Sequence, residues 1–213
     1  MRHLKMLGLA VVAGLAAMAF VGASSASANI DICEFELPLT EEITNLTGCP
    51  TGYKNLLTTL LFFEAKATGP VLKGTIKEVC DESNTRVMNK GDGTLNGEVE
   101  WLSFTGNCSP CSTVTTEGLP YNGKINMEGS EYYLESAGQA KLSGCTFGVT
   151  CKFGTSGVKL KFVYGEHMAH NEFRAEEEVL TLLEGSKFLC GATGKWTANY
   201  VVESPLHFWL HLL

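Results

Sequence analysis

The chain has no Gly-x-Ser-x-Gly elbow, no phosphate-binding loop and no dinucleotide fingerprint, so serine-hydrolase and nucleotide chemistry lack a starting point. The His-Glu-x-x-His order of zinc proteases and its inverse are also missing. Basic residues are scarce, 16 against 23 acidic ones, for a net charge of −7. That balance argues against nucleic acid and anionic membrane as partners. No cysteine precedes Cys33, which leaves a lipid-anchored N-terminus without an attachment point. Beyond one apolar run near the start, no stretch is long enough to cross a bilayer.

That run lies between Met6 and Ala23, after Arg2 and Lys5 and before Ser24-Ser25-Ala26-Ser27-Ala28. A basic start, an apolar stretch and a small-x-small tail predict a secretory signal peptide over residues 1–28. A membrane anchor is the competing reading, and the small-residue tail that a signal peptidase needs decides against it. The mature chain would begin at Asn29. Its 185 residues, the 213 less the leader, suffice for one secreted domain over 29–213. Loss of the two basic leader residues, with no acidic ones, takes the charge from −7 to −9.

All eight cysteines fall in the mature part, which for an exported chain reads as four disulfides. A thiolate zinc site from Cys108, Cys111, Cys145 and Cys151 is disfavoured by export and by the wide second spacing. Redox chemistry at Cys108-Ser-Pro-Cys111 needs a helix N-terminus to acidify a thiol, and no helix is expected to follow. Loop-closure cost favours bonds between sequence neighbours: Cys33 with Cys49, Cys108 with Cys111, and Cys145 with Cys151. Cys80 and Cys190 then remain for each other, a long loop tying the early sheet to its last strands.

Short alternating segments separated by turns predict an all-β fold, a single antiparallel β-sandwich with a closed β-barrel as the alternative. The stretch from Thr94 to Tyr121 reads as a hairpin: an outgoing strand through Val99, Trp101 and Phe104, a turn over Gly106 to Pro110, and a return over Ser112 to Thr116. Its apolar residues change face near Trp101 and Leu102, as a bulge or a strand buried on both sides requires. Leu56 to Thr68 and Val71 to Cys80 read as strands, and Asp81 to Gly93 as a turn-rich patch. Strands are also expected over Tyr121 to Met127, Tyr132 to Ser136 and Gln139 to Leu142. Val158, Leu160, Phe162 and Tyr164 alternate with Lys159 and Lys161 as in a half-buried strand. Phe173 to Leu183 is compatible with a helix face or a strand, and strand is favoured. Trp196, Ala198, Tyr200 and Val202 share one face of a closing strand, and Pro205 to Leu213 reads as an edge strand.

Leu189-Cys190, Lys195 to Val202, Ser204-Pro205, Phe104 to Cys108 and Leu119-Pro120-Tyr121 together resemble a group of secreted actinobacterial proteins of unknown function. The resemblance covers most of the mature chain. It implies secretion and an all-β domain, tips Phe173 to Leu183 toward strand, and carries over no reaction, ligand or catalytic residue.

Two constellations carry candidate chemistry. His167 and His170, within Glu166 to Glu172, would share a helix face and could bind zinc or copper. A solvated loop between strands is the plainer reading. Glu98 and Glu100 flank Trp101 at period two, a carboxylate pair beside a sugar-stacking aromatic such as a glycosidase uses. Alternating glutamates are equally the polar face of a half-exposed strand. Asn45-Leu46-Thr47 is a glycosylation sequon only in a host that glycosylates. The expectation is an extracellular, non-enzymatic structural or binding module with no cofactor and no membrane span after leader removal. Its partner would be a cell-surface component or protein, and a secreted glycan hydrolase using Glu98 and Glu100 is the alternative.

Overall fold

A computed structural model describes residues 30–34, 49, 54–165 and 170–212. The leader, the sequon and His167 lie outside them. Thirteen described strands follow one another: β1 (Ile30–Glu34), β2 (Lys54–Asn55), β3 (Leu61–Thr68), β4 (Val71–Lys73), β5 (Lys77–Asn89), β6 (Asn96–Ser109), β7 (Thr113–Thr115), β8 (Tyr121–Glu128), β9 (Glu131–Ser143), β10 (Cys151–Val163), β11 (Glu172–Glu184), β12 (Thr193–Ser204) and β13 (Phe208–Leu212). One helical turn, α1 (Lys187–Cys190), precedes β12. The main sheet runs β10-β11-β12-β3-β5-β6-β8-β9, and β9 pairs back onto β10, so eight strands close into an antiparallel barrel. The fold is therefore all-β as the alternation predicts, and the closed barrel replaces the sandwich. Closure removes the free edges that two stacked sheets would keep.

Curling eight strands requires local kinks, and the long strands supply them as β-bulges. On β6 the register against β5 slips between Val99 and Trp101, leaving Glu100 as the extra residue. This is the change of face read at Trp101 and Leu102. A second slip on β6 accommodates Gly106, whose φ of +76° and closeness to Asp81 leave no room for a Cβ. Further slips fall on β10 between Thr155 and Val158 and on β11 between Ala175 and Glu178.

The hairpin expected around Gly106 to Pro110 does not form. Strand β6 pairs with β5 and β8, while β7 pairs with β9. The patch from Asp81 to Asn89 is strand rather than turn, because β5 continues through it. Three of its four inward positions, Ser83, Thr85 and Asn89, are polar, which hides the alternation. Ser83 is fully buried and shares a 2.8 Å hydrogen bond with the Tyr200 hydroxyl. Burial holds that phenol well above its ordinary pKa, so it stays a neutral partner. Ser83→Ala would strand the hydroxyl, and the expected loss is about 1–3 kcal/mol of unfolding free energy. Urea titration of the variant checks it.

Three of the four expected disulfides are also corrected. Cys33–Cys49 forms as predicted, but the others are Cys80–Cys108, Cys111–Cys145 and Cys151–Cys190. Cys80 and Cys108 are direct partners across β5 and β6, so strand pairing overrides the loop-closure preference for Cys108 with Cys111. Three of these bonds gather with Leu72, Phe153 and Leu180 in a core cluster at one end of the barrel. At the other end, β13, β1 and β2 form a separate three-stranded sheet, so the C-terminal strand is an edge strand of this cap rather than of the barrel. Phe208 and Ile32 of the cap pack with Phe63, Phe162 and Phe173 of the barrel. Asn171, fully buried, donates to the Phe208 carbonyl (2.6 Å), and the Tyr164 hydroxyl donates to the Leu210 carbonyl (2.7 Å).

Candidate functional site

The barrel is charged outside and apolar inside. Outer-face lysines and glutamates pair across strands, as in Lys66–Glu82, Lys159–Glu128, Lys161–Glu131 and Lys195–Glu177. Inward positions are mostly aliphatic or aromatic, and they do not fill the barrel completely. A middle cavity of about 40 Å³ takes lining from all eight strands: Phe63, Thr85, Val99, Tyr121, Leu134, Val158, Phe173 and Tyr200. Toward the cap lies a second cavity of about 30 Å³, which shares Phe63, Val87, Leu134 and Phe173 with the first. Toward the disulfide end lies a third, also about 30 Å³, which shares Leu102, Gly138 and Trp196 with the middle one. Shared walls place the three in a column along the barrel, each with room for a water-sized group or two.

The disulfide-end cavity differs from the others in its chemistry. Glu78, only 2% exposed, lines it alongside Trp196 and apolar residues such as Leu72, Leu102, Phe104 and Leu180. Local sequence explains this placement: Glu78 shares parity with Ile76 and Cys80, so the strand that buries Cys80 buries the carboxyl too. The register then brings the pair together. Trp196 on β12 stands opposite Leu72 on β4, and Leu72 stands opposite Glu78 on β5. The two polar side chains thus sit one strand either side of Leu72, their backbones about 10 Å apart.

Hydrogen bonding at this end is half complete. The Cys111 N–H donates to Glu78 Oε2 (2.9 Å), while Glu78 Oε1 and Trp196 Nε1 are buried without a partner among the described residues. Burial pushes the Glu78 carboxyl above the ordinary carboxylate range, and the Cys111 N–H only partly offsets it. Among the described residues, no basic side chain lines the cavity.

This arrangement has a sign that pH can test. Unfolded, Glu78 ionises near the ordinary glutamate value of 4.5; folded, it keeps its proton to higher pH. Ionisation therefore favours the unfolded chain as pH rises from about 4.5 through the raised pKa. Glu78→Gln, which keeps an acceptor for Cys111, is expected to raise the thermal midpoint at pH 7, with the gain shrinking toward pH 4. A difference that does not change with pH would overturn this account.

The residues singled out from the sequence lie elsewhere. Glu98 is ion-paired with Lys90 (2.8 Å), and Glu100 is the bulge residue of β6. Trp101 stands opposite Arg86 on the outer face, with the guanidinium 6.0 Å from its ring centre. Arg86 also reaches Glu64 (2.6 Å). None of Glu98, Glu100 and Trp101 lines the three cavities. His170 is exposed with φ +53°, and its companion His167 is outside the described residues. The acidic and sulfur atoms of Glu78, Cys80 and Cys108 lie within 4.8 Å of one another, but both sulfurs are spent in one disulfide and offer no thiolate to a metal. Sequence reasoning misses Glu78, although its parity with Leu72, Ile76 and Cys80 is the signal that could find it, and reads Trp196 only as part of an apolar strand face. No family model, curated protein or solved structure matches this chain.

Proposed function

We propose that this chain is an exported, non-enzymatic binding module whose ligand occupies the barrel interior. The observation that carries the reading is the column of apolar cavities ending on two buried, unpartnered polar atoms, Glu78 Oε1 and Trp196 Nε1. Ligand sites are mostly apolar with a few converging polar groups, and eight strands make a barrel that can hold one small ligand. Four disulfides fit an oxidising compartment and support export. The barrel wall is most sparsely laddered beside β6. Among the described residues its ladder with β8 spans only Asn96 to Val99, and further along the Thr116 hydroxyl donates to the Leu102 carbonyl (2.7 Å). Leu102, Phe104 and Val114 at this seam all line the disulfide-end cavity.

Hexane is the simplest probe. It is expected to raise the thermal midpoint of the oxidised protein in a concentration-dependent way and to shift the methyl resonances of Leu102 and Leu134. An unchanged midpoint with unmoved methyl signals, for hexane and for its polar-ended six-carbon analogues alike, would sink the reading. N-terminal sequencing of the exported protein is expected to begin at Asn29, and a retained Met1 would overturn export by signal cleavage.

A further inference from the structure

We infer that the ligand of this interior is a slender aliphatic alcohol whose hydroxyl accepts a hydrogen bond from Trp196 Nε1 and shares one with Glu78 Oε1. The inference rests on the interior-binding reading and specifies its chemistry. Three observations select the class. Both polar atoms are buried and without partners, and they line one cavity. They reach it from the same register row, across Leu72. The remaining lining supplies almost only carbon, so a ligand that satisfies both atoms carries a single small polar group on an apolar body.

The inventory of donors and acceptors narrows the group further. Indole N–H only donates, so the ligand must accept. The carboxyl oxygen accepts when ionised and can donate when protonated. A hydroxyl meets both partners in either state, because it has one donor and two lone pairs. An ammonium group would leave the indole unpaired, and a carboxylate would face an acid in a cavity with no basic residue. An alkane leaves both atoms unsatisfied. Shape sets the body: cavities of about 30, 40 and 30 Å³ in series accept an unbranched chain more readily than a ring, which needs one larger void.

A matched six-carbon series tests this on the full oxidised chain: 1-hexanol, hexane, hexylamine and hexanoate, titrated calorimetrically and by nitrogen-15 NMR. 1-Hexanol is expected to bind about thirty-fold more tightly than hexane, the combined effect of two ordinary hydrogen bonds. Its saturation should move the Trp196 indole N–H resonance, which hexane leaves in place. Trp196→Phe is expected to cut the preference for the alcohol to roughly five-fold while hexane affinity holds. Should that variant fail to fold, the indole shift in the unsubstituted chain still decides. Hexane equal to 1-hexanol, or hexylamine or hexanoate binding more tightly, would overturn the alcohol and leave interior binding standing. Absence of binding by all four would overturn both readings.

Discussion

Cys151→Ala combined with Cys190→Ala is expected to lower the unfolding free energy by about 4 kcal/mol, the largest loss among the four disulfide pairs. The bond spans 39 residues, against 16, 28 and 34 for the others, and the chain-entropy cost of freeing an unfolded loop rises with its length. By the same estimate Cys33–Cys49 is worth about 3 kcal/mol. Geometry adds to the difference. Cys80 and Cys108 are already opposite each other in a ladder, whereas Cys151 and Cys190 join the start of β10 to α1, across the end of the intervening strand β11. Both of the latter sulfur-bearing residues are buried, so the double variant also leaves a void. For a chain of this size the loss corresponds to a drop of roughly 8–16 °C in the thermal midpoint. Calorimetry of the four double variants ranks them, and a larger loss from Cys33 with Cys49 would contradict the ranking. Non-reducing digestion should yield peptides joining Cys80 to Cys108 and Cys111 to Cys145; one joining Cys108 to Cys111 would overturn the connectivity itself.

Why the sequence disclosed the strands but not their closure can be traced to the bulges. On β11, Phe173 and Ala175 face inward at odd positions and Leu180 at an even one, because an extra residue enters between Ala175 and Glu178. That switch is what makes Phe173 to Leu183 resemble a helix face as much as a strand. On β10, Cys151 and Phe153 are inward before the bulge, and Val158, Leu160 and Phe162 after it, so only the second half reads as clean alternation. The same device on β6 was visible as a change of face at Trp101. Repeated parity switches along long strands are a curvature signal, and curvature favours a barrel over a flat-layered sandwich. Read that way, the closed form was more legible than alternation alone suggests.

The interior site was less accessible to such reading. Glu78 sits beside Lys77 and near Asp81 in a charged stretch, and only its parity with Leu72, Ile76 and Cys80, opposite to that of Lys73, Lys77 and Asp81, marks it as inward. Trp196 announces an apolar face, and its indole nitrogen becomes informative only when no partner reaches it. The juxtaposition of the two depends on β4 lying between β12 and β5, a pairing no local pattern encodes. The disulfides fail for a related reason: loop-closure cost ranks pairings in an unstructured chain, and here the β5–β6 and β7–β9 ladders set Cys80 beside Cys108 and Cys111 near Cys145, leaving Cys151 for Cys190.

Phe208→Ala carries the second large expected effect, a loss of about 3–5 kcal/mol. The ring is 1% exposed and belongs to the cap, yet its neighbours are barrel residues: Phe63 at 5.1 Å and Phe162 at 5.5 Å between ring centres. Truncation therefore removes buried apolar surface from both layers at once, beside the cavity that Phe208 already lines, and a void there enlarges an existing one. The polar bonds that hold the same strand do not compensate. Asn171 to the Phe208 carbonyl and Tyr164 to Leu210 are backbone-directed and survive the substitution, so the loss isolates the packing term. Phe208→Leu, which keeps most of the volume, is expected to cost less than half as much. Amide hydrogen exchange distinguishes how the loss is spent. If cap and barrel unfold as one unit, protection falls together at Leu210 in β13 and at Tyr200 in β12; loss at Leu210 alone would mean that the cap opens independently of the barrel it covers.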